Sequence, residues 1–181
     1  MLVGTLVRLR GLAERDLPAL HRWHGDPDVA LWGTGAAAAF SPVGPLEIRR
    51  MYEPYLTGER RAREHVFLVE TLDARPIGIA DYARLDPIAR SAELGLTIGE
   101  PGSWSQGYGT DAATLLIRFA FERLNLRRVE IRTWDGNERV LRLAARLGFV
   151  EEGRLRQAQV VLGEYRDVVV LGLLRDEFTP R

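Results

Sequence analysis

At 181 residues the chain is long enough for one domain with a full hydrophobic core and too short for two of ordinary size, so residues 1–181 are read as a single domain. Its 25 basic and 25 acidic side chains cancel, which removes the global positive field that draws in nucleic acid, and no nucleic-acid partner is expected. Cysteine is absent, so disulfides, thiolate metal sites and a cysteine acyl-enzyme are excluded, and any acyl transfer must use other groups.

The apolar start, Met1 to Val7, lacks a basic leader and meets Arg8 and Arg10 at once, and no apolar run nears the about 18 residues of a membrane span. A soluble cytoplasmic protein with no membrane partner is the expectation. Thr5 to Leu9 alternates as a strand does, and Glu14 to Trp23 has Leu17, Leu20 and Trp23 at helical spacing, with Asp26-Pro27 ending that helix. Gly33 to Pro45 is dense in Gly, Ala and Pro and reads as a long loop flanked by Trp32 and Phe40. Leu46 to Leu56 carries Met51, Tyr52 and Tyr55 on a helix that Pro54 should end or kink. The Arg60-Arg61-Ala62-Arg63 cluster that follows is a solvated face unless it meets a phosphate.

Three strands, His65 to Glu70, Pro76 to Tyr82 and Ala92 to Ile98, are separated by turn signals at Asp73-Ala74-Arg75 and Asp86-Pro87, which predicts an antiparallel meander. Thr110 to Leu124 has apolar residues every third or fourth position and is an amphipathic helix. Val129 to Thr133 is a short strand, and Asn137 to Leu147 a helix whose apolar face is Val140, Leu143, Ala144 and Leu147, with Gly148 as its left-handed terminator. Gln157 to Leu162 and Val168 to Leu174 close a mixed α/β sheet. The histidines His21, His24 and His65 are scattered without metal-ligand spacing, so no metal is expected.

The segment Ser103 to Asp111 joins a strand to a strong helix through Gly107 and Gly109. Such a junction binds anions, because glycines let the backbone approach and the free N–H groups and dipole of a helix start face the ligand; a plain strand-to-helix turn is the alternative. A Walker loop is impossible without Lys, and a dinucleotide fingerprint fails because its third glycine position falls at Ala112. On the preceding strand Ala92, Leu94, Leu96 and Ile98 share one face, while Glu93, Gly95, Thr97 and Gly99 share the other. A carboxylate among glycines on a central strand is a candidate general base, or else a surface or salt-bridged Glu. Asn137 reads as a helix N-cap.

Trp104 to Ala112 resembles the pyrophosphate loop of the GNAT superfamily of N-acetyltransferases, with Gly107 and Gly109 at its two small positions. Trp104 in the first position is similar to the ribosomal-protein N-terminal (alanine) acetyltransferase branch. The resemblance continues through Ala92-Glu93-Leu94-Gly95, the Asn137 to Phe149 helix, Gly153, Leu155-Arg156 and Tyr165-x-Asp167, covering about residues 76 to 176. It implies the GNAT acyl-CoA N-acyltransferase fold, an α/β (α+β) architecture with a mixed, mostly antiparallel sheet of about seven strands flanked by helices. It also implies acetyl-CoA as cofactor and direct acetyl transfer to a primary amine. The acceptor is either the N-terminal α-amine of a protein or a small molecule of the aminoglycoside or polyamine type; a non-catalytic acyl-CoA-binding module is the alternative of another class. A homodimer is the oligomeric expectation.

Transferred to this sequence, the resemblance assigns Glu93 as catalytic base. Leu96, Thr97 and Ile98 fall to the pantetheine arm, Trp104, Gln106, Gly107, Tyr108, Gly109 and Thr110 to the pyrophosphate, and Asn137 to a further cofactor contact. Tyr165 is a candidate to line the acceptor site or protonate the departing thiolate, or packs a turn, and Trp32, Tyr52 and Tyr55 are candidate acceptor-side residues. The branch usually places Ser where this chain has Val140, and Glu138 to Leu147 holds no Ser, Thr or Tyr, so the helix offers no general acid.

Overall fold

The computed structural model describes residues 1–33, 43–58 and 64–179; the stretch around Phe40 and the Arg60 to Arg63 cluster lie outside them. Its centre is an eight-stranded sheet in the order β1-β2-β3-β4-β5-β6-β8-β7. The strands are β1 (Leu2–Val3), β2 (Val7–Gly11), β3 (His65–Thr71), β4 (Pro76–Asp86), β5 (Ser91–Ile98), β6 (Arg128–Trp134), β7 (Val150–Val161) and β8 (Glu164–Leu174). The helices are α1 (Leu17–His24), α2 (Pro27–Gly33), α3 (Pro45–Leu56), α4 (Tyr108–Glu122) and α5 (Glu138–Arg146).

β3 to β5 form the antiparallel meander that the turn signals predict, with Phe67 opposite Ala80 and Ala80 opposite Leu96, and β2 adds to it antiparallel along β3. One sheet face, with Val69, Ala80, Leu94 and Val129, packs on Leu116, Ile117 and Ala120 of α4 and Ala144 of α5. The other face, with Val66 and Leu68, packs on Leu20 and Trp23 of α1, Val29 of α2 and Ile48 and Tyr52 of α3. Two layers of helices therefore cover both faces, and α1 and α4 bury the apolar stripes that their periodicity announced.

At four points the structure refines these expectations. The sheet has eight strands because Leu2–Val3 pairs with Leu9 and Arg8 at its edge, and β2 starts at Val7 since Thr5 and Leu6 form a turn. The first helix ends at His24, ahead of Asp26-Pro27 as expected, but a further helix, α2, is opened by Pro27. Its missing N–H costs nothing at a helix start, and Asp26 Oδ1 caps the new helix by accepting from the N–H groups of Asp28 (2.9 Å) and Val29 (3.2 Å). Pro54 lies in the last turn of α3, so the helix runs on to Leu56. Finally, β7 and β8 form a much longer hairpin than the pattern suggested, because β7 is an exposed edge strand on which alternation between inside and outside has no meaning.

Among the described residues one strand pairing is parallel, and it decides the rest. β5 and β6 pair only at Ser91 with Arg128, Ala92 with Val129 and Glu93 with Glu130. Beyond Glu93 the strands part, while β5 stays paired to β4 as far as Ile98 and β6 stays paired to β8 as far as Trp134.

Asp111, in the first turn of α4, ties the N-terminal turn to this region. Its carboxylate accepts from the N–H groups of Leu6 (2.7 Å), Val7 (2.9 Å) and Thr5 (3.3 Å) and from the Thr5 hydroxyl (3.1 Å). Burial pushes this carboxyl upward, but the three N–H groups and the hydroxyl outweigh burial and hold it below the usual carboxylate range. Replacing Asp111 by Ala is expected to lower stability by about 1–3 kcal/mol in urea denaturation at pH 7. Because the folded value is depressed, that difference is fully present above the unfolded value of about 3.9 and shrinks as pH falls through the folded value, so the two proteins should converge in acid.

Candidate active site

β5 is followed by a short turn, Pro101–Ser103, and by Trp104, whose indole N–H donates to the carbonyl of Ile98 (2.7 Å) and fixes the exit of the strand. The chain then passes through two left-handed residues, Ser105 (φ 62°) and Gly107 (φ 88°), to enter α4. Gly107 is the N-cap and has no side chain to bond the first amides of the helix, so those amides are left for a ligand. Gly107, Gly109 and Thr110 line the larger lobe of a cavity, about 340 Å³ in volume, whose other walls are Leu96 to Ile98 of β5 and Arg139, Val140, Arg142, Leu143 and Arg146 of α5.

A smaller lobe of about 160 Å³ occupies the opening between the parted strands, with Leu94, Gly95 and Leu96 on one side and Ile131, Arg132 and Thr133 on the other. Leu116 and Ile117 of α4 and Gln159 of β7 complete it. The lobes share Trp32, Gly33, Leu96, Asn137, Val140 and Leu143, so they form one trough running from the start of α4 into the opening.

The end of α2 is fastened across this trough. Trp32 stacks on Trp134 of β6 with centroids 5.4 Å apart and planes 22° apart, and its carbonyl accepts from Asn137 Nδ2 (3.1 Å). Gly33 lies so near β5 that a Cβ there would come 2.8 Å from Cγ2 of Thr97. The Arg139 guanidinium sits between two rings, 4.4 Å from the centroid of Trp104 and 5.3 Å from that of Trp32.

The α1–α3 side of the same strands carries carboxylates. Glu93 Oε2 lies 2.9 Å from Arg84 Nη1 and 3.7 Å from Arg132 Nε. Asp81 of β4, opposite Gly95, fills the space a Gly95 side chain would need, since a Cβ there would strike its carboxylate. Burial, with further contributions from Glu93 and Glu64, pushes the Asp81 carboxyl up to about 6. Tyr55 donates to Glu64 Oε1 (3.1 Å), and the buried Tyr52 hydroxyl meets His24 Nε2 at 2.8 Å. Burial above all, then Asp81 and Tyr55, pushes the Tyr52 phenol well above its ordinary value.

The trough has the uncapped helix start and three arginines at one end, groups that can hold phosphates, and a mainly apolar lining with unpaired strand edges toward the other. The family model described as "Acetyltransferase (GNAT) domain" matches residues 7–150. The chain belongs to this family. It is a GNAT N-acetyltransferase that draws acetyl groups from acetyl-CoA. It is similar to the "Putative ribosomal N-acetyltransferase YdaF" of Bacillus subtilis, at 37% identity over 59% of this chain and 57% of that protein. Similarity to the spermidine N(1)-acetyltransferase of Vibrio cholerae is 25% and spans 99% of both chains. The solved structure of a Vibrio cholerae spermidine N-acetyltransferase in complex with CoA and spermine has the same fold, with a TM-score of 0.83 at 24% identity over 94% of this chain and 96% of that one.

Within this GNAT domain, Leu96, Thr97, Ile98, Trp104, Gly107, Gly109, Thr110 and Asn137 line the trough, and so does Trp32. Gln106 and Tyr108 are not in its walls. The Gln106 side chain donates to the Gly102 carbonyl, and Tyr108 packs against the α4 core. Glu93 lies outside both lobes beside the carboxylates that Tyr52 and Tyr55 approach, and Tyr165 is 70% exposed on the hairpin and touches neither lobe. Sequence reasoning missed Arg139, Arg142 and Arg146, although their spacing of three and four is a helical face, while Val140 and Leu143 of the predicted apolar face line the trough. It also missed Asp81, which only strand register brings to Gly95. Replacing Arg139 by Met is expected to raise the Kd for CoA about tenfold, or ~1.4 kcal/mol, in calorimetry, with little change in the denaturation midpoint.

Proposed function

We propose that this GNAT enzyme transfers acetyl directly from acetyl-CoA to the primary amine of a small, multiply charged cation of the polyamine type, which approaches from the α1–α3 side of the sheet. The observation that carries this reading is the set of carboxylates Glu64, Asp81 and Glu93 gathered on that side beside the opening between β5 and β6. A cation with several amines meets several carboxylates at once, and the near full-length similarity to a spermidine acetyltransferase agrees with this. A protein N-terminal α-amine is the second reading, favoured by the 37% identity to the Bacillus subtilis relative.

When bound, acetyl-CoA supplies an acyl group already activated as a thioester. The amides at the start of α4, with Gly107 and Gly109 leaving the backbone open, would hold its pyrophosphate, and Arg139, Arg142 and Arg146 would balance its phosphate charge. The edge of β5 beyond Glu93 would align the pantetheine arm, and Trp32 would shield the opening from water. Asn137 contributes by holding α2 across the trough, since its amide donates to Trp32 and its oxygen accepts from the Val140 N–H (3.5 Å). With no cysteine in the chain a cysteinyl acyl-enzyme is excluded, and the acceptor amine attacks the thioester carbonyl directly in this reading.

Incubation with acetyl-CoA and equal concentrations of spermidine, an aminoglycoside and peptides with free N-termini, followed by mass spectrometry, tests the acceptor. The acetyl increment is expected first on spermidine; faster acetylation of the peptides would overturn the polyamine reading.

A further inference from the structure

We infer that Asp81, and not Glu93, is the group that takes the proton from the acceptor ammonium. The inference rests on the reading that the acceptor enters from the α1–α3 side. Glu93 stands opposite Ala83, at the last residue of β5 paired with β6, whereas Asp81 stands opposite Gly95, two residues farther along β5 where the strands have parted. Gly95 lines the smaller lobe and has no side chain, and the Asp81 carboxylate occupies the space beside it that a side chain would fill; neither Asp81 nor Glu93 is itself in the wall of the lobe, so register along β5 is what sets Asp81 closer to the parted strands.

The partners of the two carboxylates differ as well. Glu93 Oε2 is held between the guanidiniums of Arg84 and Arg132, and an approaching ammonium must compete with both. Asp81 has no hydrogen bond and no ion pair among the described residues. The titratable groups that face it are Glu93 on β5, Glu64 ahead of β3, and Tyr52 on α3, with Tyr55 and His24 behind Tyr52. Of these the carboxylates repel a second negative charge, and the cations nearby, Arg84 and Arg132, are engaged with Glu93 and Glu130, so an ammonium entering here would find in Asp81 a carboxylate free to pair with it. Burial and that repulsion hold the carboxyl near 6, close to the pH at which a base should work in neutral solution.

The step balances without any further reactant. The acceptor ammonium gives one proton to Asp81 and becomes a neutral amine. Its nitrogen forms the C–N bond to the acetyl carbon as the C–S bond breaks, the second nitrogen proton goes to the CoA thiolate, and Asp81 returns its proton to water.

Asp81→Asn and Glu93→Gln separate the roles. For wild type, kcat/KM with the acceptor found above is expected to fall on the acidic side with an apparent value near 6; Asp81→Asn should lower kcat at pH 7 about 100-fold and remove that limb, with CoA affinity by calorimetry unchanged. Glu93→Gln should keep the limb and act mainly on the KM for a cationic acceptor. Independently of turnover, infrared titration of the protein without CoA should show a protonated carboxyl band disappearing near pH 6 that is missing in Asp81→Asn. A raised folded value means the charged form disfavours folding above that pH, so Asp81→Asn should be at least as stable as wild type at pH 8, whereas a merely structural Asp81 would lose stability there. The inference is overturned if Asp81→Asn keeps the acidic limb and its rate, or if the limb vanishes in Glu93→Gln instead. Failure of the polyamine reading shows up separately, as wild type that prefers peptides, and the same profiles are then taken with a peptide.

Discussion

The structure depends on a ladder that stops. β5 and β6 share three parallel residue pairs and then diverge, although each keeps its other neighbour for several residues more. Backbone N–H and C=O groups in a sheet interior cannot remain without partners at low cost. Two strand edges in the middle of the molecule therefore stay open to a guest. Because β4 and β8 hold the outer edges, the opening costs only the inner ladder and does not unravel the sheet.

The surrounding elements follow from this opening. α4 starts beside it, since the chain must leave β5 and return in parallel as β6, and a crossover of that kind needs a helix. Its uncapped first turn thus lies at one end of the trough. α5 follows β6 and brings its arginines to the same end, while α2 is bolted over the middle through Trp32, Trp134 and Asn137. The result is polarised: Arg139, Arg142 and Arg146 lie at the end where α4 starts, and Glu64, Asp81 and Glu93 lie on the α1–α3 side. A net charge of zero conceals this arrangement, because composition sums what the fold separates.

Much of this was legible residue by residue. The meander was readable because β3 to β5 are bounded by turn residues, and α4 because its apolar stripe keeps one period for four turns. The glycine loop was readable because Gly107 needs a left-handed backbone that few other residues accept. By contrast β7 carries no inside-outside signal, and α2 hid behind a proline that serves equally well to end one helix and to begin another. Tyr165 sits in a pattern shared with the family, yet its exposure on the hairpin removes it from the trough.

The sequence by itself determined the sheet with its helical cover, the glycine turn between β5 and α4 and the family, because each rests on local backbone preference or on an ordered string of residues. Only the tertiary structure decided which polar groups meet. Trp32 and Asn137 are 105 positions apart and share a hydrogen bond. Arg139 finds its two indoles from other elements, and Asp81 reaches Gly95 through antiparallel register. Side-chain chemistry at a site is a property of register and packing across long stretches of chain, and periodicity within one element carries no record of it.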